Sequence, residues 1–392
     1  DCPGSVEFSQ DTFDALRIAD AAVVVAEPSA ERVVTLAPVL HFLDEQNIPH
    51  VVFINKIDQA NDKLKDIVEA LRTVSGKPLV LREVPLRENG EIAGFVDLVT
   101  EQAWHFRKGA HSEPIAMPTD LADEEHEARQ TLVEALADFD DDLLMQVLED
   151  MMPSEDEINA QLAKDVAEDL VVPVFFGSAL ESQGVSRLMK ALRHETPEPN
   201  VTAERLGIAF TGEGVAAEVF KTYHVPHLGK VSMTRVWRGS LQSGQEVPVG
   251  DQVLRLGGLY QVAGEERTKL DVANPGQVVG IARADELKTG GWIGNPEENP
   301  GWAEAQPPLY SMALHATKRA DEVKLLGALQ TLAEDDPSLR INQNPETHEL
   351  VIHGLGQLHL KVVEERLLTR FNLEVEMSRP QVPYKETIQN GT

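Results

Sequence analysis

Asn55-Lys56-Ile57-Asp58 stands directly after a short apolar run, Val51-Val52-Phe53-Ile54. A carboxylate held at such a strand end can accept two hydrogen bonds at once. That matches the N1 and N2 donors of guanine and has no counterpart on adenine. In this chemistry Asp58 selects guanine, Asn55 supports the loop and the base edge, and the Lys56 stem covers the base. Ser178-Ala179-Leu180 follows a second apolar run, Val171 to Phe176, and its backbone N–H groups can meet guanine O6. Asp1-Cys2-Pro3-Gly4 offers different chemistry. A glycine amide, with no side chain in the way, can approach a terminal phosphate, and Asp1 can hold a magnesium ion through water. Each group alone is a weak signal, since polar turns carry the same letters. Their order along the chain and their strand-end positions argue against chance. The phosphate-cradling pattern Gly-x-x-x-x-Gly-Lys-Ser/Thr occurs nowhere in the 392 residues.

The elements that must position these groups form three regions. Ala21 to Val25, Val51 to Ile54 and Val171 to Phe176 read as buried strands of a parallel sheet. Helices lie between them at Glu31 to Gln46 and Gly184 to His194, a doubly wound α/β pattern. Between Asp58 and Ser178 there is far more chain than one crossover needs. A helix is expected over 61–75 and strands over 79–106, with Glu88-Asn89-Gly90 as a turn. Helices follow over 122–138, 141–151 and 154–168, so this stretch is a subdomain inserted into the core. Glu195 to Asn200, with two prolines, reads as an extended linker. Val215 to Tyr223, Lys230 to Arg238 and Gln245 to Val249 then read as strands, with turns at His227-Leu228-Gly229 and Ser243-Gly244. They imply a small closed barrel. After a second linker, Asn295 to Pro308, the order β-α-β-β-α-β can be read. Its helical stripes are Leu325, Leu329, Leu332 and Leu360, Val363, Leu367, Phe371.

The formal charge of −30 is concentrated early: residues 1–200 carry 40 Asp/Glu against 16 Lys/Arg, and residues 120–170 carry 18 against two. Bulk attraction to nucleic acid is therefore not expected, any RNA contact must come from local patches in the second half, and DNA is not expected as a partner. The acidic stretch can dock a basic protein or simply face solvent. No run is long and apolar enough to span a membrane. A single cysteine, Cys2, excludes an internal disulfide and fits the cytoplasm. It reads as a small strand-end residue rather than a reactive thiol.

In these residues the chain resembles bacterial elongation factor G and its paralogues, over essentially all 392 positions. Asp1 to Phe8, Asn55 to Asp58 and Ser178 to Leu180 look like the third, fourth and fifth GTPase elements of that family. The stretch 59–170 resembles its inserted G′ subdomain, and Gly229 to Leu241 its domain II. Ala333-Glu334-Asp335-Asp336-Pro337-Ser338 and Gly354-Leu355-Gly356-Gln357-Leu358-His359-Leu360 resemble its domain III. The resemblance implies a partial P-loop-type GTPase sheet with G′ over residues 1–198, the insertion running from about 60 to 168. It further implies a translation-factor β-barrel over 201–300, a ferredoxin-like split βαβ domain over 307–385, and over 386–392 the start of a linker to a domain IV. The cofactor is then GTP or GDP with magnesium. The partners are the ribosome, through its RNA and its basic stalk protein, and the chain is a monomer.

Three departures from the family pattern carry expectations. Ser5 stands where the family has the histidine that orients the attacking water. Hydrolysis is expected to be impaired, because this reaction runs on positioning and electrostatics. The phosphate loop, switch I and three core strands are absent, so most phosphate binding is expected to be lost and strand edges left unpaired. The chain stops near Pro383-Tyr384-Lys385-Glu386-Thr387, where the family enters domain IV. It is therefore expected to be a fragment without domains IV and V. Alternatives are a ribosome-binding factor that does not hydrolyse nucleotide, or a ribosome-protection protein. Other candidates are bland. His353 and His359 lack metal-ligand spacing, and Trp237, Trp292 and Trp302 read as packing. Lys221, Lys230, Arg235 and Arg238 either touch RNA phosphates or line an ordinary solvent face.

Overall fold

A computed structural model describes residues 1–60, 63–149, 151–225, 228–264, 266–294, 302 and 305–382. The turn residue His227, most of the 295–308 linker and residues 383–392 lie outside the described residues. The chain forms two compact units, Ala19–Arg205 and Asp1–Ile18 with Leu206–Thr392.

In the unit 19–205, four strands form a parallel sheet: β1 (Ala22–Ala26), β2 (His50–Ile54), β3 (Leu79–Leu81) and, last in sequence, β8 (Val172–Phe176). Their order is β1-β2-β8-β3. Every residue of β2 and β8 is buried, as expected of central strands covered on both faces. At the edge, β1 alternates, leaving Val23 and Val25 exposed. The helix expected over Glu31 to Gln46 is broken into Ala30–Val33, a tight turn Val34–Leu36, and Ala37–Glu45. Pro38 explains this: it has no N–H to continue a helix, but it fits the first turn of a new one.

The insertion begins with an antiparallel meander: β4 (Glu83–Glu88), β5 (Glu91–Asp97), β6 (Ala103–Arg107) and β7 (Ala110–Ile115). Asn89 and Gly90 both take positive φ, 53° and 89°, as the two-residue hairpin between β4 and β5 requires. The sequence conceals β7, because Pro114 and three polar residues hide its alternation; as an edge strand it tolerates the proline. Helices Ala122–Ala137, Asp141–Leu148 and Glu155–Ala167 then bury Leu132, Leu136, Ile158, Leu162 and Val166 against Val80 and Val84. The last helix starts with a reciprocal Ser154–Glu157 capping box. The expected linker 195–200 is shorter than its composition suggests. A helix, Pro199–Arg205, starts at its second proline and is pinned by the Thr202 hydroxyl donating to Asp20 at 2.7 Å.

Glu83, fully buried at the start of β4, accepts from the Phe176 N–H at 3.3 Å. Burial pushes its carboxyl up to about 8, with Asp97 adding to the push, while Arg187 and Arg82 pull the other way. The folded state therefore favours the protonated acid. Its stabilisation is complete below the ordinary carboxylate range and is lost as pH rises towards 8. We expect Glu83→Gln to keep the Phe176 bond and flatten that decline. Unfolding free energies of the variant and the parent from urea titrations should separate progressively from about pH 4.5 up to about pH 8, by a few kcal/mol at most, and keep that separation at higher pH. Parallel pH curves for the two proteins would refute this.

In the other unit, Ala216–Val225 and Gly229–Arg238 are the longest pair of a six-stranded sheet. Shorter strands wrap it around Val219, Val236, Leu241, Val247, Leu259 and Ile281. The Gly294 N–H donates to the Pro248 carbonyl at 2.8 Å, tying the last strand to an early one. Trp237 is fully buried and Trp292 nearly so. The C-terminal part is Tyr310–Ala316, helix Glu322–Asp335, Arg340–Gln343, Leu350–Gly354, helix Gln357–Phe371 and Val375–Ser378. Its antiparallel sheet places the first and third of these strands centrally, the split βαβ arrangement. Both helical stripes pack on it, with Leu329 and Leu367 fully buried. Among the described residues, no helix is long and apolar enough to cross a membrane.

Lys221, Lys230, Arg235 and Arg238 each have a partner inside the unit. Lys230 and Arg235 are buried. Lys230 bonds the Glu334 carboxylate at 3.2 Å and the Asp285 carbonyl at 3.1 Å. Arg235 lies over the Trp237 ring, Arg238 donates to the Ala209 carbonyl, and Lys221 pairs with Asp11. Each cation is spent inside the unit, because barrel, βαβ domain and N-terminal segment bury acids and carbonyls against one another.

Candidate functional site

At the C-terminal ends of β1, β2 and β8, three loops meet within the unit 19–205. This is where open parallel sheets bind ligands. The loop after β2 leaves the sheet with the Asn55 N–H donating to the Ala26 carbonyl at 2.9 Å. Lys56 then takes the left-handed conformation, φ 58°, which turns the chain so that Asp58 is exposed at the loop's surface. The Asn55 Oδ1 accepts from the Lys56 N–H at 2.8 Å and from the Ala179 N–H at 2.9 Å. Two converging N–H donors can be satisfied only by an oxygen, so the network itself sets the amide's orientation. Asn55 is thus the tie between the two loops.

Asp58 is held from the other side. The Ser178 hydroxyl, itself buried, donates to it and keeps its carboxyl below the ordinary carboxylate range; the Gln59 amide adds a bond at 3.3 Å. The result is an ionised, solvent-facing acceptor in a fixed position. The loop after β8 is closed by Ser178 and Gln183, which exchange backbone hydrogen bonds at 3.1 and 2.9 Å. It needs glycine at both ends. A Cβ at Gly177 would stand 2.2 Å from the Gln183 carbonyl oxygen, and at Gly184 (φ 73°) 2.4 Å from that of Phe176. The Ala179 N–H is engaged by Asn55. Among the described residues no backbone partner takes the Leu180 N–H, and the Leu180 side chain is 85% exposed.

Lys56 also reaches the loop after β1, where its ammonium lies 3.2 Å from Glu27. Glu27 is held ionised first by its hydrogen bond from Arg32 and then by Lys56. Sequence reasoning missed Glu27; the only signal for it is its place directly after a buried strand.

Asp1, Gly4 and Ser5 belong to the other unit and are exposed. Cys2 is exposed there as well. The Ser5 hydroxyl accepts from the Glu7 N–H at 3.4 Å and caps a short turn, Val6–Phe8, that leads into the helix Ser9–Arg17. Glu7 accepts from the His359 N–H at 2.8 Å, Gln10 from the Gln306 N–H at 2.8 Å, and Asp11 from Lys221. The segment after Gly4 is therefore fastened to both the βαβ domain and the barrel. His359 comes close to it, with its ring 5.9 Å from Phe8, although 351 residues separate them in the chain. Both ring nitrogens are engaged: Nδ1 accepts from the Leu355 N–H at 3.0 Å and Nε2 lies 2.9 Å from Asp336. Burial opposes the charge on Asp336, but bonds from His359 and Ser338 outweigh it and hold the carboxyl at about 2.

Comparison with known proteins is consistent along the whole chain. Residues 1–198 match the family model of the elongation factor Tu GTP-binding domain, 214–294 that of elongation factor G domain 2, and 306–379 that of elongation factor G domain III. An elongation factor G-like protein of Synechocystis is 44% identical over 394 residues, which takes in 100% of this chain and 58% of the relative. The chain thus spans less than two thirds of that relative's length. A crystal structure of a protein from Thermus thermophilus superimposes with a TM-score of 0.87 at 30% identity, covering 98% of this chain and 57% of the other.

Proposed function

The chain belongs to the elongation factor G family of translation GTPases, and from that premise we propose that the full-length protein binds GTP and GDP with magnesium and works on the ribosome, in translocation or a related step. The observation that carries the nucleotide reading is the ionised Asp58, braced by Ser178 on a loop that Asn55 ties to Ala179. Its two oxygens suit the N1 and N2 donors of guanine. Because Asn55 occupies the Ala179 N–H, the Leu180 N–H is the donor for O6. Lys56, held beside Glu27, covers the base. Asp1 holds magnesium through water and Gly4 approaches the terminal phosphate.

We assign residues 1–198 to the GTPase part, with G′ at about 60–168, 201–300 to domain II and 307–385 to domain III. The acidic helices of G′ face the basic stalk protein of the large subunit. The protein acts in the cytoplasm as a monomer. Hydrolysis is slow because Ser5 lacks an imidazole, and His359 does not replace it, both its ring nitrogens being committed.

Calorimetric titration of the 392-residue chain with magnesium GTP, and with ATP as control, tests the base-reading part. Guanine-selective heat supports it. Equal heats from the two nucleotides would sink the assignment of Asp58. No heat from either would mean that the base loop cannot hold a nucleotide by itself, and would move the test to the full-length protein.

A further inference from the structure

We propose that the hairpin joining β6 and β7 of the insertion positions the loop after β8, with Lys108 as a positioning residue of the base site. The link to nucleotide rests on the guanine reading given above, whereas the tie between hairpin and loop rests on contacts inside the unit 19–205.

The hairpin turns at Lys108–Gly109, between the paired residues Arg107 and Ala110, with Gly109 at φ 65°. Its tip meets the loop at one residue, Glu181. The Gly109 N–H donates to the Glu181 carbonyl at 3.4 Å, and the Lys108 ammonium lies 3.2 Å from the Glu181 carboxylate. On β7, His111 Nδ1 lies 2.8 Å from the hydroxyl of Ser186, in the first turn of the helix Val185–Glu195 that follows the loop. A neighbouring strand of the same meander, β5, comes within 8 Å, Cα to Cα, of the turn Ile57–Gln59 that carries Asp58. The meander thus backs both loops of the base site.

Glu181 is the residue after Leu180, whose N–H is the donor assigned to O6. The next residue, Ser182, takes φ 61°. A residue other than glycine stays in that left-handed region only where surrounding contacts outweigh its cost. Inside the loop, the Ser182 N–H donates to the Ala179 carbonyl at 3.2 Å, Ser178 and Gln183 exchange backbone bonds, and Asn55 holds the Ala179 N–H. These bonds fix 178, 179, 182 and 183. Among the described residues, the hydrogen bond and the ion pair on Glu181 both come from the hairpin. The hairpin therefore supplies the hold on the loop's outer corner.

The Lys108 side chain is 85% exposed and that of Glu181 25%. An ion pair so open to water adds little to global stability. Its effect belongs to where the loop sits, and is to be read on the loop and on nucleotide release, with unfolding unchanged.

Reversing one charge tests this, because Lys108→Glu sets two carboxylates against each other. In the 392-residue chain, amide hydrogen exchange at Gly109, Ala179, Ser182 and Gln183 should quicken about three- to tenfold, with the urea midpoint unchanged. Adding Glu181→Lys restores opposite signs and should return exchange to the parent rate. In the full-length protein, Lys108→Glu should release a fluorescent GDP about three- to tenfold faster, and the double variant at the parent rate. Exchange in Lys108→Glu equal to the parent, or a double variant that restores nothing, would overturn the hairpin's role. Faster exchange with unchanged GDP release would overturn its link to the base site. A parent that holds fluorescent ADP as tightly as GDP would instead sink the guanine reading, and the exchange rates would still decide whether the hairpin positions the loop.

Discussion

Replacing Asp58 with asparagine lowers the affinity of the full-length protein for GDP by roughly 10²–10⁴-fold and turns its preference towards the xanthine nucleotide. Guanine presents two donors, N1–H and the N2 amino group, and a carboxylate accepts both. An asparagine accepts one and sets its own NH₂ against the other. Xanthine carries an oxygen at position 2, so the same NH₂ finds an acceptor there. Each charge-assisted bond contributes about 1.5–3 kcal/mol, and two together give the expected range. The loop itself should survive, since Asn55 rather than Asp58 ties it to Ala179. Competition between GDP and XDP for a fluorescent nucleotide measures the effect. A variant that keeps GDP affinity within about threefold of the parent would show that Asp58 does not read the base.

Ser5→His in the full-length protein raises ribosome-stimulated GTP turnover by roughly 10²–10⁴-fold, the range associated with a positioned acid–base group. The gain should appear in kcat with little change in KM, because the residue acts on the attacking water rather than on nucleotide binding. The structure makes the substitution mild. Ser5 is exposed, and its hydroxyl contributes one long hydrogen bond to a short turn. Unchanged turnover in a folded variant would remove Ser5 as the cause of slow hydrolysis. It would favour the reading in which the nucleotide serves as a structural ligand only.

The fold class was legible in the residues because burial pattern and chain direction follow from local chemistry. The runs at Val51 and Val171 became fully buried central strands, and the Leu325–Leu332 and Leu360–Leu367 stripes became the packed helix faces of the βαβ domain. Misreadings came where one residue broke a pattern. Pro38 split a helix, Pro114 hid an edge strand, and Pro199 began a helix inside what composition marked as a linker. The basic residues of the barrel illustrate a different limit. Lys230 and Arg235 look solvated in sequence, but their partners Glu334 and Trp237 show only in the folded unit.

The sequence by itself determined the family and the order of its motifs, since strand-end loops such as Asn55 to Asp58 are contiguous and carry their chemistry in adjacent letters. Only the tertiary structure decided which atoms are free to use it. That Asn55 Oδ1 takes the Ala179 N–H, that Ser178 holds Asp58 ionised, and that His359 lies beside Phe8 with both nitrogens committed are contacts between residues 124, 120 and 351 positions apart. Hydrogen-bond capacity is spent pairwise in space, so a residue's type states what it can do and its neighbours state what remains for it to do.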